Sequence, residues 1–273
     1  MPKPTLNAGF CFNPISLSAL MLACLILLLA GCSSATSRPD SSSKSESEPT
    51  LDEIYNHATH WSRNSAEHRA IYEQTYKFAG ERIRVLSDGL EAGSWAVSLD
   101  ADETLIDNSL YQVEIASRGE SYGPVSWNEW IQRKSAPPMP GAVEFTRLVK
   151  SLGGVVAVVT NRRHYQCALT AENMLEVGIT FDVALCRVDG GEKELRFDAL
   201  ANGTADQWLD AQFNGDAARR PLDVLMWVGD NIGDFPGQDQ SIRNSEGPLS
   251  DFGDRFFVLP NPMYGSWEVN PKE

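Results

Sequence analysis

Four aspartates stand in two short segments of the sequence, and each segment follows a run of apolar residues. Asp100 and Asp102 belong to the segment DADET, and Asp230 and Asp234 belong to the segment GDNIGD. Carboxylates that converge without compensation repel one another, and a hard divalent cation such as Mg²⁺, which prefers oxygen ligands, removes that repulsion. When two carboxylates follow a strand on a turn, one can attack while the other moves a proton. The pattern predicts metal-assisted chemistry on a phosphate.

Three further polar residues stand where they could hold phosphate oxygens. Thr160 and Asn161 end a β-branched run, and Lys193 stands at the start of a helical pattern. A hydroxyl and an ammonium both donate hydrogen bonds to phosphate oxygens. Taken singly, such residues also occur in solvated turns and helix caps, but their order along successive strand ends favours a catalytic set. Together with the carboxylates they indicate phosphoryl transfer through an aspartyl-phosphate intermediate.

The elements that would bring these residues together alternate between strand and helix. Buried parallel strands are typically continuous apolar runs, whereas helices repeat apolar residues three or four positions apart. The alternation predicts an α/β fold, a doubly wound parallel sheet whose ligands bind outside the carboxyl ends of the strands. A helical segment at 51–91 precedes the sheet, and the segment 108–140 interrupts it as a small inserted cap. The expected strands are 95–99, 155–159, 181–185, 224–228 and 256–259, and the expected crossover helices are 141–152, 165–177 and 192–201.

The N-terminal 50 residues differ in composition from the rest of the chain. An apolar run ends in Leu-Ala-Gly followed by Cys32, which resembles the lipobox of bacterial lipoproteins. That resemblance implies a diacylglycerol on the Cys32 thiol and a lipid-anchored protein of the cell envelope, and Ser33 in place of Asp implies the bacterial outer membrane. A Ser-rich stretch without large apolar residues then forms a flexible tether. The expected division is a signal peptide at 1–31, the lipidated Cys and tether at 32–50, and one folded domain at 51–273.

The charge of the chain excludes one class of partner. The formal net charge is −14, from 23 basic and 37 acidic residues. A protein that holds nucleic acid by its phosphates needs a basic face, so we expect no nucleic-acid partner. The lipid anchor is the only expected contact with a membrane.

Two cysteines remain in the expected folded domain, Cys167 and Cys186. A disulfide is possible in an exported protein, and the spacing fits no metal motif. Two buried, unpaired thiols are slightly favoured over a bridge.

The motifs, in their order along the chain, resemble those of the haloacid dehalogenase (HAD) superfamily. DADET at 100–104, VVTN at 158–161, Lys193 and GDNIGD at 229–234 match its four motifs. PGAVEF, KELRF and VLPNPMYGSWE further resemble the class C acid phosphatases of subfamily IIIB, a group that includes lipoprotein 5′-nucleotidases of the outer membrane. The resemblance covers nearly all of the expected folded domain. It implies a phosphomonoesterase with one Mg²⁺ per subunit.

The resemblance also implies a role for each matching residue. Asp100 matches the nucleophile, which also binds Mg²⁺, and Asp102 matches the general acid and base, whose backbone carbonyl is a metal ligand. Asp230 matches the third protein ligand, and Asp234 matches a supporting acid. The phosphate-binding set is Thr160, Asn161 and Lys193.

Two aromatic residues are the candidates for substrate selection. Trp127 lies in the inserted segment, and Tyr264 follows the final strand. By position they match a pair that sandwiches the base in the resembling nucleotidases, which implies nucleoside 5′-monophosphates, including nicotinamide mononucleotide, as substrates. The alternative is that both rings pack the cap against the core.

Three questions stay open at the level of the sequence. A non-enzymatic envelope lipoprotein that binds haem or adheres to a host is one alternative to the phosphatase. A phosphotransferase on the same scaffold is another, since it differs only in whether water or an alcohol accepts the phosphoryl group. The oligomeric state is not predicted.

Overall fold

The computed structural model describes residues 50–188, 192–208, 216–246 and 249–272. The expected signal peptide, Cys32 and nearly all of the tether lie outside these residues. Among the described helices, none combines the length and the apolar character that crossing a bilayer requires.

A five-stranded parallel sheet forms the centre of the domain. Its strands are β1 (Trp95–Leu99), β2 (Val155–Arg163), β3 (Val183–Arg187), β4 (Asp223–Gly229) and β5 (Phe256–Val258). Their order across the sheet is β3-β2-β1-β4-β5. All four pairs of neighbours are parallel, which confirms the predicted doubly wound α/β fold.

The helices lie around the sheet and in the connections between strands. Clusters of buried apolar side chains pack on both sides of it, as expected for a parallel sheet. The inserted segment is helical, as expected for a small cap. The helices are α1 (Leu51–Ile54), α2 (His57–Asn64), α3 (Ala66–Leu86), α4 (Ser109–Ser117), α5 (Pro124–Arg133), α6 (Ala142–Ser151), α7 (Cys167–Glu176) and α8 (Lys193–Asn202). Short 3₁₀ helices span His164–Gln166, Ala205–Trp208, Asp216–Arg219, Ile232–Asp234, Gln240–Asn244 and Ser266–Val269.

The register of the central strands aligns their carboxyl ends. Leu99, the last residue of β1, pairs with Val158 of β2 and with Val228 of β4. The residues that follow in each strand therefore emerge at one edge of the sheet. This register is the structural reason why segments far apart in sequence meet.

Helix α3 supports the loop that follows β1. Ser65 caps the helix by accepting a hydrogen bond from the amide of His68. Farther along, the buried hydroxyls of Tyr72 and Tyr76 donate to the backbone carbonyls of Glu103 and Thr104, at 2.5 and 2.6 Å. Two buried hydrogen bonds from α3 thus fix the position of the loop.

The largest differences from the expected strand boundaries are in β2 and β3, whereas β4 and β5 differ by no more than one residue at either end. β2 continues four residues beyond its apolar run, because Arg163 still pairs with Arg187 after a register irregularity. β3 begins at Val183, two residues later than expected. Asp182, just before it, accepts hydrogen bonds from Lys150 and from the amide of Val156, so this position serves the turn.

Cys167 and Cys186 form a disulfide. The preference for two unpaired thiols was therefore wrong. The first turn of α7 packs against β3 and brings the two sulfur atoms together, which a separation of 19 residues does not reveal. Cys186 pairs in the sheet with Thr160, so the bridge lies beside the strand end that carries a candidate phosphate ligand.

Candidate active site

The site is built at the edge where β1 and β4 end. Asp100 directly follows β1, and its side chain is buried. The backbone amide of Asp102 donates to Asp100 Oδ2 at 3.1 Å, so the chain turns sharply within two residues. Both residues consequently stay at the edge of the sheet.

Lys193 connects two carboxylates of this edge. Its ammonium donates to Asp100 Oδ1 at 2.5 Å and to Asp234 Oδ1 at 2.6 Å. All three side chains are at least nine-tenths buried. Because these groups are buried, solvent screens their charges little, and the ammonium attracts both carboxylates strongly.

Asp230 completes an acidic cluster. Asp100, Asp230 and Asp234 each offer a carboxylate oxygen, and these oxygens lie within 4.8 Å of one another. The Asp230 carboxylate is held by the Thr104 hydroxyl at 3.3 Å and by the Asn261 amide at 2.8 Å. Sequence reasoning gave no role to Thr104 or to Asn261, although both lie within the motifs that carry the resemblance.

The cluster fits a divalent cation. Three carboxylates and one ammonium leave two negative charges uncompensated, and every donor atom is an oxygen, which hard cations prefer. Burial, together with repulsion from Asp234 and Asp102, raises the pKa of Asp100 to about 7, although Lys193 opposes the shift. Burial and the neighbouring carboxylates also raise the pKa of Asp230 well above its usual value. These shifts reflect burial and the close approach of several carboxylates.

Lys193 keeps its charge in this surrounding. Burial by itself disfavours the ammonium, but the nearby carboxylates of Asp100 and Asp234 raise the pKa of Lys193 above its usual value. A protonated lysine is a fixed donor at the point where a phosphate oxygen would arrive.

Close packing around Asp234 explains why glycine precedes the second acidic pair. A methyl group at Gly229 would lie 2.2 Å from Asp234 Oδ2. That oxygen also accepts from the backbone amide of Asn231 at 2.9 Å. Only a residue without a side chain allows the loop to fold back so tightly.

Thr160 and Asn161 lie at the end of the apolar run of β2, and a second cation holds them. Arg196, fully buried on α8, donates to the carbonyl of Thr160 and, at 2.7 Å, to Asn161 Oδ1. Burial lowers the pKa of Arg196 to about 10, so the guanidinium remains charged at neutral pH. Arg196 lies within the KELRF motif, but neither its residue type nor its position in the motif predicted this contact.

The carboxylate of Asp102 stands apart from the acidic cluster. It forms an ion pair with Arg162, whose Nη2 lies 2.7 Å from Asp102 Oδ1. Asp102 therefore contributes no side-chain oxygen to the group formed by Asp100, Asp230 and Asp234. Arg162 follows the predicted phosphate-binding residues directly, yet neither spacing nor residue type indicated its partner.

A cleft of about 730 Å³ opens beside Asp102. Trp127 and Tyr264 both line it, together with Asn161 and the exposed Tyr165. Trp127 is half-buried and also packs on Tyr111, with ring centroids 5.0 Å apart. The two candidate substrate residues thus share one cleft, and Trp127 has a packing contact as well.

Comparison with known proteins agrees with the fold and the motifs. The family model described as HAD superfamily, subfamily IIIB (acid phosphatase) matches residues 30–267. Acid phosphatase 1 of Solanum lycopersicum is 25% identical over 201 residues, which cover 69% of each chain.

Solved structures extend the agreement to three dimensions. The class C acid phosphatase from Bacillus anthracis is 30% identical with a TM-score of 0.64, and the match covers 77% of this chain and 85% of that one. The structure of the same enzyme with tungstate bound is 29% identical in sequence with a TM-score of 0.63, and the match covers the same share of each chain. The chain described here belongs to the acid phosphatases of HAD subfamily IIIB, a family of phosphomonoesterases.

Proposed function

We propose that this acid phosphatase is a Mg²⁺-dependent enzyme that forms an aspartyl-phosphate on Asp100. The observation that carries the proposal is the setting of this carboxylate. Asp100 is buried at the sheet edge, fixed by Lys193 and by the amide of Asp102, and lies within the acidic cluster. A nucleophile held in this way is already oriented before a phosphate ester binds.

The chemistry divides between the two aspartates of the first loop. Asp100 attacks phosphorus, the ester P–O bond breaks, and the Asp102 carboxyl gives its proton to the leaving oxygen. Water then attacks the acyl phosphate and returns a proton to Asp102, which frees phosphate and Asp100. Thr160, Asn161 and Lys193 donate to the phosphate oxygens throughout.

The protein ligands that we assign to Mg²⁺ are Asp100, Asp230 and the backbone carbonyl of Asp102. Asp234 supports the site through its contact with Lys193. When bound, the cation would offset the negative charge of the transferring phosphoryl group. The two uncompensated charges of the cluster support a divalent ion.

The proposed metal dependence is tested by hydrolysis of p-nitrophenyl phosphate. We expect activity to fall to background in EDTA and to return with Mg²⁺. Asp230→Asn should raise the Mg²⁺ concentration needed for half-maximal rate by about tenfold or more. Asp198→Asn, an exposed carboxylate of α8, is the matched control and should behave as wild type. Full activity after exhaustive chelation would contradict the proposal.

The proposed substrates are nucleoside 5′-monophosphates, including nicotinamide mononucleotide. Support comes from the shared cleft, where Trp127 and Tyr264 lie close enough to the candidate acid Asp102 to line the same cavity. A flat ring between two aromatic faces gains about 1–3 kcal/mol per stack and needs no particular base. We therefore expect broad use of nucleotides with little discrimination among bases.

The aromatic clamp is tested with two substrates of different shape. Trp127→Ala and Tyr264→Ala should each raise KM for a nucleotide about tenfold or more, which corresponds to the loss of one stack. Their rates with glycerol 2-phosphate should stay close to wild type. Phe78→Ala removes a half-exposed ring outside the cleft and is the control. An equal loss on both substrates would mean that the aromatic residues only pack the cap.

Family membership favours an enzyme over the non-enzymatic lipoprotein considered from sequence. The choice between hydrolase and phosphotransferase is tested by adding an alcohol to the assay. A hydrolase releases phosphate and alcohol in equal amounts, whereas a transferase forms a new ester at the expense of free phosphate. We propose hydrolysis, and we also propose that Cys32 anchors the enzyme to the outer membrane of a bacterial envelope.

A further inference from the structure

Arg162 binds Asp102 through two nitrogen atoms. Nε donates to Oδ1 at 2.9 Å and more weakly to Oδ2 at 3.2 Å, and Nη2 donates to Oδ1 at 2.7 Å. The Arg162 side chain is only 2% exposed, whereas that of Asp102 is 19% exposed. The arginine is thus a fixed part of the protein interior, and the carboxylate lies between this interior and the cleft.

The guanidinium is itself held on its other sides. Nη1 donates to the Thr170 hydroxyl at 3.2 Å, and Nη2 also donates to Asn108 Oδ1 at 3.0 Å. The ring of Trp127 lies 5.2 Å from the guanidinium carbon. A side chain with so many partners has little freedom to move, so it can fix what it binds.

Asn108 adds a second support to the same carboxylate oxygen. Its amide donates to Asp102 Oδ1 at 2.8 Å. Its own carbonyl oxygen accepts from the indole of buried Trp130 at 2.8 Å, which fixes the orientation of the amide group. The network therefore joins the inserted cap to the loop after β1.

The two oxygens of Asp102 differ as a result. Oδ1 accepts from Arg162 and from Asn108, whereas the long 3.2 Å contact to Arg162 is the one side-chain hydrogen bond described for Oδ2. Oδ1 is saturated as an acceptor, and Oδ2 retains the capacity to exchange a proton. Asp102 lines the cleft where a substrate would enter.

We propose that Arg162 is a positioning residue, which acts through Asp102 by anchoring Oδ1 so that Oδ2 is the oxygen that exchanges the proton with the leaving group. This inference rests on the proposed function of Asp102 as general acid and base. Lysine cannot replace arginine here, because a single ammonium does not reproduce the planar arrangement of Nε and Nη2. The competing interpretation is an ion pair that serves stability alone.

The experiment compares two esters whose leaving groups differ in basicity. A p-nitrophenolate leaves without help, whereas the alkoxide of glycerol 2-phosphate needs a proton. For Arg162→Lys we expect kcat/KM to fall about 10–100-fold with glycerol 2-phosphate and less than about threefold with p-nitrophenyl phosphate. The larger fall corresponds to a partial loss of the rate enhancement that a general acid usually provides. Arg69→Lys, which changes an exposed arginine of α3 paired with Glu73, is the matched control and should alter neither value.

A double-mutant cycle separates positioning from stability. If Arg162 acts through Asp102, then Arg162→Lys adds no ester selectivity in the Asp102→Asn background. A loss that is equal on both esters, or that adds fully to that of Asp102→Asn, would overturn the inference. Failure of the proposed function is distinct, because Asp102→Asn alone would then slow both esters equally.

A second variant keeps the test valid if Arg162→Lys does not fold. Thr170→Val keeps the shape of the side chain and the contacts of Arg162 to Asp102, but it removes the acceptor for Nη1 and the donor to the Gln166 carbonyl. We expect the same selectivity between the esters, but a smaller one. The alkyl ester should be slowed about 2–5-fold more than the aryl ester, which is the scale of one lost hydrogen bond. No selectivity in a folded Thr170→Val protein, confirmed by its thermal unfolding, would argue against anchoring by Arg162.

Discussion

At the scale of single residues, both carboxylate oxygens of Asp100 are already engaged in hydrogen bonds. Oδ1 accepts from Lys193 and Oδ2 from the amide of Asp102, so the carboxylate has one orientation before substrate arrives. Such preorganisation lowers the entropic cost of reaching the transition state. Substitution of Asp100 is therefore a direct test of its proposed role as the nucleophile.

Asp100→Asn should abolish turnover, because an amide cannot form the acyl phosphate. We expect kcat with p-nitrophenyl phosphate to fall by several orders of magnitude, as when other covalent nucleophiles are removed. Acid-quenched enzyme should carry phosphate covalently in the wild type and not in the variant. Retention of more than a tenth of wild-type kcat, in a protein with an unchanged melting temperature, would exclude Asp100 as the nucleophile.

The acidic motifs could be identified from sequence because residue type and spacing are visible in a short segment. The sequence predicts Asp100, Asp230, Asp234 and Lys193 as site residues, and the structure brings these four side chains together. The partners of Asp102 and Asp230 could not be named. Arg162 reaches Asp102 across 60 positions of sequence, and such a contact depends on strand register, which no local pattern encodes.

At the scale of elements, strands were easier to predict than their ends. Val155–Arg163 starts with an unmistakable β-branched run, but its last residues are polar and continue only because β3 pairs beside them. Pairing is a property of two segments, so the sequence of one segment predicts it poorly. The disulfide was missed for the same reason, since α7 and β3 must pack before the sulfur atoms meet.

That disulfide should stabilise the domain without serving the chemistry. Closing a loop of this length contributes about 3 kcal/mol in the chain-entropy estimate. The Cys167→Ala/Cys186→Ala protein should have a free energy of unfolding that is lower by about this amount, measured by urea denaturation, and should keep its activity at 25 °C. Dithiothreitol should lower the free energy of unfolding of the wild type by a similar amount, and it should leave that of the double variant unchanged. Two reactive thiols in unfolded, non-reduced wild type would show that the bridge does not form.

Helix α3 carries a buried histidine that should make stability depend on pH. His68 packs against Trp61 and Tyr72, and burial lowers its pKa below the usual value despite the nearby Asp107. Because the folded pKa is depressed, the neutral ring contributes stability above pH 6.5, and this contribution is lost as pH falls through the folded pKa.

The His68→Phe protein should therefore lose less stability than wild type between pH 7.5 and pH 5. Melting temperatures measured by circular dichroism at constant ionic strength provide the check. Replacement of exposed His57 is the control and should leave the wild-type pH profile unchanged. Identical profiles for His68→Phe and wild type would assign the pH dependence to other groups.

At the scale of the whole molecule, the proposed anchor and the catalytic domain should be separable. Cys32→Ser removes the thiol that we propose as the lipid acceptor, and the Ser-rich composition of 33–49 predicts a flexible connection to the folded domain. We expect the variant to leave the membrane fraction while its activity per molecule stays the same. Retention of the processed variant in the outer membrane would contradict the lipobox interpretation.

Tyr72 connects the two ends of the folded chain. Its hydroxyl lies 2.5 Å from the Glu103 carbonyl and 3.2 Å from the Pro260 carbonyl, and the neighbouring Asn261 holds Asp230. A chain leaving the ribosome therefore cannot complete the catalytic edge until its last segments have been synthesised and docked. During refolding, phosphatase activity should return with the slowest structural probe, so that catalysis itself reports when the whole domain has folded.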